Sequence, residues 1–297
     1  MTVFRKIALV FALSIFAMIS TMGAFASEGG GSSYPNGAEA VMAGAVPPPG
    51  FYFVNYTNYY TSEKLVNNSG DEVPVNLKLD VLANVFRFVY TTDKKLLGGF
   101  ITVQTLIPVL LDMEIEIAGM KGDNSGLGDI TLGTVVAWHS KNWHSAVGLD
   151  ITVPTGKYDK DDLINPGRNY YNIEPVLGYT YITDGGYEAS IKAMYDFNTE
   201  NDDTNYQTGQ EFHFDYHAGY HFGNWVAGLG GYYYKQITDD ELNGAKVIDN
   251  KGQVLGYGPA VKYQYKNMSF TAKYQKETMV RNRTEGDKFW LKFIYAF

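Results

Sequence analysis

Residues 211–222 read EFHFDYHAGYHF, and their alternation decides the fold. Phe212, Phe214, Tyr216, Ala218, Tyr220 and Phe222 fall on one side of an extended chain, and His213, Asp215, His217, Gly219 and His221 fall on the other. Successive side chains of a strand point to opposite faces, so the segment has one greasy, aromatic face and one polar face. The pattern recurs in residues 187–198, where Tyr187, Ala189, Ile191, Ala193, Tyr195 and Phe197 alternate with Glu188, Ser190, Lys192, Met194, Asp196 and Asn198. It recurs again in residues 268–277, with Met268, Phe270, Ala272 and Tyr274 set against Ser269, Thr271, Lys273, Gln275 and Glu277. Runs of about ten residues with this period have the length of a tilted strand crossing a bilayer.

Twelve such segments lie beyond residue 49: residues 50–62, 79–91, 98–110, 128–139, 143–154, 168–182, 186–198, 211–222, 225–237, 254–265, 268–278 and 287–297. Arg87 and Gln104 interrupt the pattern in the second and third. The connections alternate strictly. Residues 92–97, 140–142, 183–185, 223–224 and 266–267 carry tight-turn chemistry, whereas residues 63–78, 111–127, 155–167, 199–210, 238–253 and 279–286 are long and polar. Short periplasmic turns with longer external loops are the pattern of outer-membrane barrels, and an even strand count returns both ends to the periplasm. The expected fold is therefore all-β: a transmembrane, antiparallel, up-and-down β-barrel of about 12 strands.

Composition agrees with that class and excludes others. The 297 residues include 32 glycines and 24 tyrosines but no cysteine, which rules out a disulfide scaffold, a thiol enzyme and a cysteine zinc site. With 32 acidic against 24 basic residues and no basic block in the body of the chain, nothing suits a nucleic-acid backbone, so no nucleic-acid partner is expected. At the start, Arg5 and Lys6, the apolar run Ile7 to Ile19, and Ala24-Phe25-Ala26 form a secretory signal ending at residue 26. No later stretch approaches the ~18 to 20 continuous apolar residues of a spanning helix, so a membrane location requires a barrel. The expected location is the bacterial outer membrane, among its lipid and lipopolysaccharide. A soluble β-sandwich would need a charged solvent face, and the face opposite the apolar one is instead rich in Gly, Tyr and His, as suits a lumen.

Twelve strands ~4.8 Å apart, tilted ~40°, close into a cylinder roughly 24 Å across the backbone, from which side chains remove about half. That space passes a small molecule and not a folded protein. The inward candidates are Asp150, Glu174, Glu188, Lys192, Asp196, His213, Asp215, His217, His221, Lys262, Lys273, Glu277 and Lys292, with Tyr170, Tyr232 and Tyr234 beside them. Both signs of charge occur, and their mixing is expected to restrain the field across the pore. The histidine row suggests a metal, but positions four apart on one strand lie ~13 Å apart while zinc donors sit ~2 Å from the ion. One strand cannot make that site without a neighbour's help, and no metal or other cofactor is expected. The acidic groups Asp159, Asp161 and Asp162, Asp202 and Asp203, and Asp239, Asp240 and Glu241 fall in long loops, where solvation explains them and bridging cations are the alternative. A lipid-hydrolase reading needs a serine beside a histidine. In His139-Ser140 and His144-Ser145 the two side chains point to opposite faces, so no enzyme is expected.

The leader Ser27 to Pro49 (SEGGGSSYPNGAEAVMAGAVPPP) is too rich in Gly and Pro to fold alone. It is expected either to enter the barrel as a plug, since Ala40, Val41 and Met42, with Ala43 and Val46, would otherwise face water, or to hang in the periplasm. The last strand puts Phe289, Leu291, Phe293, Tyr295 and Phe297 on one face, and this aromatic ending resembles the signal read by the barrel assembly machinery.

Several stretches together resemble the outer-membrane protein family linked to the meta pathway of phenol degradation, the SphA-type family. They are residues 33–39 (SYPNGAE), 47–52 (PPPGFY), 126–129 (GLGD), 209–234 (GQEFHFDYHAGYHFGNWVAGLGGYYY) and 272–297 (AKYQKETMVRNRTEGDKFWLKFIYAF), with Ser33 standing where histidine is usual. The resemblance implies a transporter-like barrel for passive uptake of small hydrophobic or aromatic compounds, and it carries over no binding residues. Lumen tyrosines would offer such solutes stacking surfaces, although interfacial girdles account for many tyrosines in barrels of this kind. The alternative is a barrel without transport, serving adhesion or envelope stress through its long loops.

Overall fold

The computed structural model describes residues 27–297; the expected signal peptide, residues 1–26, lies outside them. Twelve long strands form the wall: β1 (Gly50–Val66), β2 (Leu77–Leu96), β3 (Gly99–Ile117), β4 (Ile130–His139), β5 (Trp143–Val153), β6 (Asn172–Ile182), β7 (Tyr187–Asn198), β8 (Glu211–Phe222), β9 (Trp225–Gln236), β10 (Gln253–Tyr265), β11 (Met268–Arg281) and β12 (Arg283–Ala296). Each pairs antiparallel with its neighbours in sequence. The sheet closes where β12 meets β1, with Tyr52 opposite Ala296 and Thr57 opposite Leu291. Closure removes both edges, so the backbone groups of the wall can pair within the sheet, as a bilayer requires.

Alternation sorts the side chains. On β11, Ser269, Thr271, Lys273, Gln275 and Glu277 are buried; on β7, Glu188, Ser190, Asp196 and Asn198 are buried while Tyr187, Ile191 and Phe197 are exposed. A protein whose exposed residues are apolar and whose buried ones are charged is inverted relative to a water-soluble domain. That inversion fits a lipid-facing exterior around an enclosed polar interior, and the chain is an outer-membrane barrel. Around the short-turn end, Trp143, Tyr181, Tyr187, Tyr220, Phe222, Trp225 and Tyr265 stand exposed in an aromatic girdle. Phe297 joins it, its ring 5.2 Å from that of Phe51.

Two features exceed the sequence expectation. Strands β1 to β3 run 17, 20 and 19 residues, and residues 120–127 fold back onto β3. The wall therefore stands tall on that side, at the end bearing the long loops. Residues 279–286, expected to be a polar loop, are almost entirely strand, with Asn282 alone between β11 and β12. There β11 keeps pairing with β10 up to Arg281, and β12 pairs with β1 from Arg283. A strand rising above the membrane needs no apolar face, so its composition matches that of a loop. Among the long connections, residues 199–210 and 237–252 are tied by a small sheet of four two- and three-residue strands, Glu200–Asn201, Tyr206–Gln207, Asp240–Leu242 and Ala245–Val247.

The lipid-facing assignment predicts that Leu291→Arg, on the outer face of β12, destabilises the barrel by roughly 2 to 4 kcal/mol in urea titrations in lipid vesicles. A change below ~0.5 kcal/mol would place Leu291 outside the hydrocarbon.

Candidate functional site

The leader occupies the lumen. Near the long-loop end, Glu28 accepts hydrogen bonds from Thr204 Oγ1 (2.6 Å) and Asn201 Nδ2 (2.9 Å), and Arg168 Nη1 donates to its carbonyl (3.0 Å). Burial pushes the Glu28 carboxyl above its ordinary value, against the lowering effect of those side-chain hydrogen bonds. At mid-barrel, Asp215 of β8 accepts from Tyr34 Oη (2.7 Å) and from the backbone N–H groups of Gly37 (2.8 Å) and Glu39 (2.9 Å). Toward the short-turn end, Met42 N donates to Glu188 Oε1 (2.7 Å) and Gly44 N to Thr180 Oγ1 (2.9 Å). The chain thus crosses the barrel from the external loops to β1. Gly37 has φ +88° and lies so close to Gln275 that a Cβ would stand 2.3 Å from its Oε1. At Gly44 a Cβ would meet the Tyr179 backbone at 2.5 Å, so both positions require glycine.

Glu39 is the charged centre of this contact. Its carboxylate takes Arg87 Nη1 at 2.7 Å, Lys292 Nζ at 2.5 Å and Tyr56 Oη at 2.6 Å. Arg87 also donates from Nε to Gln104 Oε1 (3.0 Å), and Gln104 Nε2 donates to Asp150 Oδ1 (2.8 Å). From β11, Lys273 Nζ donates to the carbonyls of Gly37 (2.5 Å) and Ala38 (2.6 Å). Lys288 Nζ reaches Asn36 O at 3.3 Å.

The inward candidates meet in this lumen. Asp196, His213, Asp215, Tyr232 and Tyr234 are fully buried; Asp150, Glu174, Glu188, His217 and Lys273 are nearly so. His213 Nε2 stands 2.9 Å from Asp196 Oδ2 and 3.5 Å from Glu174 Oε2. Glu188 takes His217 Nδ1 at 3.1 Å and His221 Nε2 at 2.6 Å. Tyr234 Oη donates to Glu211 (2.6 Å), Tyr232 Oη donates to Glu277, and Lys192 lies 4.3 Å over the Tyr34 ring. Lys262 approaches Met42 Sδ at 3.9 Å. Of the apolar leader residues, Ala40 is buried, and Val41 and Met42 are half-buried.

The charges are not mixed evenly. Acidic residues gather on β5 to β8 as Asp150, Glu174, Glu188, Asp196, Glu211 and Asp215, and basic ones on β10 to β12 and β2 as Lys262, Lys273, Arg283, Lys288, Lys292 and Arg87. In the circular strand order these arcs face each other. Lys192 and Glu277 are the exceptions. The expected restraint of the field by mixing thus gives way to a field across the lumen, and periodicity had no means of reading which strands oppose. With the leader in place, the mid-barrel cavity between Tyr34, Glu39, Arg87, Asp150 and Glu174 measures about 30 Å³, room for one or two waters.

Sequence reading missed Glu39, Arg87 and Gln104 as site residues. Arg87 and Gln104 had a signal, because polar residues that break an apolar run in strand phase point to an inward partner. Ser190 Oγ donates to Glu188 Oε1 (2.6 Å) and bonds with Thr180 Oγ1 (2.8 Å), not with an imidazole. His139 and His144, opposite each other on β4 and β5, meet through their Nδ1 atoms at 2.9 Å.

Among curated protein sequences, none is significantly similar to this chain. Among solved structures, an outer membrane channel from Pseudomonas putida F1 is similar at 18% identity and a TM-score of 0.78, over 86% of this chain and 98% of that one. The beta domain of the Bordetella autotransporter BrkA matches at 11% identity and a TM-score of 0.50, over 84% and 100%. Both support the barrel fold. The family model that matches spans residues 62–293, which covers nearly the whole wall and includes two of the stretches whose resemblance the sequence carries, residues 126–129 and 209–234, and most of a third, residues 272–297. The chain belongs to the family described as "Putative MetA-pathway of phenol degradation".

Proposed function

We propose that the protein is an outer-membrane channel for passive uptake of small hydrophobic or aromatic compounds, with residues 27–49 as a displaceable plug. The observation that carries the reading is how the leader is held. Its backbone and Glu39 bond to wall side chains through hydrogen bonds and ion pairs. Water can replace such contacts at little net change in free energy, and the apolar part of the contact is small, carried by Tyr34 and Ala38 against wall residues such as Tyr56, Val176, Met194 and Trp290. Aromatic rings of Tyr56 and Trp290 in the wall lie beside the mid-barrel cavity, where a flat solute could stack once the leader moves. Membership of a phenol-degradation family and the likeness to a barrel described as an outer membrane channel support the same reading. On this reading the protein carries out no chemical step, and passage of the solute calls on no cofactor. Its surroundings are lipid and lipopolysaccharide, and Phe297, exposed at the end of the wall, is the contact offered to the assembly machinery.

The closed lumen also suits a second reading, a barrel without transport whose long loops bind a partner. Removing the plug separates the two. Deleting residues 28–46 should raise single-channel conductance in planar bilayers and speed entry of labelled phenol into liposomes. Unchanged conductance and uptake, with a folded barrel, favour the reading without transport. A milder change tests the latch itself. Glu39→Gln leaves Arg87 and Lys292 without their counter-charge and should weaken seating of the leader by about 3 kcal/mol. That raises the displaced population on the order of a hundredfold, seen as more frequent openings with conductance per opening unchanged.

A further inference from the structure

We propose that Glu174, Asp196 and His213 form a divalent transition-metal site in the barrel wall, with zinc as the natural occupant. The three residues come from the neighbouring strands β6, β7 and β8, which removes the single-strand obstacle, and their donor atoms lie within 4.8 Å of one another. Metal–ligand bonds of about 2.1 Å separate adjacent donors by roughly 3.0 Å in an octahedron and 3.4 Å in a tetrahedron. His213 Nε2 stands 2.9 Å from Asp196 Oδ2 and 3.5 Å from Glu174 Oε2, so two edges of a coordination polyhedron already exist. One imidazole with two carboxylates is a borderline donor set, suited to zinc, cobalt or nickel rather than to calcium or magnesium.

Charge argues the same way. All three residues are buried, and an imidazolium would balance one carboxylate of the two. A third buried carboxyl, Glu211, lies against Asp196. The nearby cations Lys192 and Arg283 sit over the Tyr34 and Tyr234 rings, and neither makes an ion pair with the cluster among the described residues. A divalent ion supplies the missing charge. Polar atoms without partners surround the cluster: His213 Nδ1 and Asn172 Oδ1 are buried with no hydrogen-bond partner. Asn172 Nδ2 donates to Asp196 Oδ1 at 2.9 Å, fixing that carboxylate as a supporting residue fixes a metal ligand. The Tyr34 ring of the leader lies 5.3 Å from the His213 ring, so an ion here stiffens the wall on which the leader rests.

The test uses the mature chain without a polyhistidine tag, folded into detergent with and without zinc chloride, passed over chelating resin and analysed by mass spectrometry of the metal. Folding is verified by heat-dependent gel mobility. The expected result is about one zinc per chain when zinc is present during folding, falling at least roughly tenfold in Glu174→Gln and in His213→Ala. A loop variant carrying Asp159→Asn, Asp161→Asn and Asp162→Asn should keep its zinc. Should His213→Ala fail to fold, the near-isosteric Glu174→Gln decides, together with the visible absorption of cobalt bound to the unmodified chain. Folded wild type without zinc under either condition overturns the proposal, as does zinc undiminished in Glu174→Gln.

Discussion

The interior of a closed single sheet is lined by side chains that have no second layer to pack against. Here that interior carries an acidic arc on β5 to β8 facing a basic arc on β10 to β12 and β2. The leader bridges them through the polarity of its own peptide groups. Its N–H groups at Gly37, Glu39 and Met42 point to Asp215 and Glu188, and its carbonyls at Asn36, Gly37 and Ala38 point to Lys288 and Lys273. Buried backbone groups must be paired, and buried charges must find partners; one segment satisfies both demands at once.

Glu39 adds a charged side chain to these peptide contacts. Arg87 and Lys292 converge on it, and Arg87 also leans on Gln104 and through it on Asp150. The chain of contacts runs from β12 across the leader to β2, β3 and β5. Such a network specifies a single seating of the leader more than it stabilises the fold, because each charge was desolvated to enter it. Small residues let the backbone come close enough: Gly37 in a left-handed turn beside Gln275, and Gly44 against Tyr179.

The wall was legible in the sequence because facing lipid is a property each residue carries alone. Tyr187, Ile191 and Phe197 announce an outward face without reference to any other strand. Above the membrane the signal disappears: residues 279–286 are strand but for Asn282, yet beyond Met279 and Val280 nothing apolar marks them. The seating of the leader was illegible for a different reason. Asp215 and Glu188 look like any inward polar residue, and the groups they hold are backbone N–H groups, which every residue but proline possesses. A sequence names side chains, and of the leader's donors to these two carboxylates all but the Tyr34 hydroxyl are backbone N–H groups. Opposition of the charged arcs needs closure and strand order together, which no local period encodes. Arg87 and Gln104 fall between the two cases, since their misfit in an apolar run was visible while its meaning was not.

Segregation of charge also bears on what the lumen becomes without its leader. Charges facing each other across an emptied barrel would draw water in, because unpaired buried charges cost far more than hydrated ones. A displaced leader therefore implies a wet passage, not a greasy tunnel. An aromatic solute in that passage gains little from the charged arcs and more from the ring faces of Tyr56 and Trp290, where water is weakly held. Lys273 and Lys292 flank those rings, Lys273 at 5.2 Å from Trp290 and Lys292 at 5.1 Å from Tyr56. Each ring face is thus engaged by a cation while the leader is seated, and Lys292 is held at the same time by Glu39. Were the leader displaced as proposed, Lys292 would lose Glu39 and be free to turn toward water, uncovering the ring. On the proposed reading, the contact that holds the leader and the surface that would guide a solute are therefore coupled through one side chain.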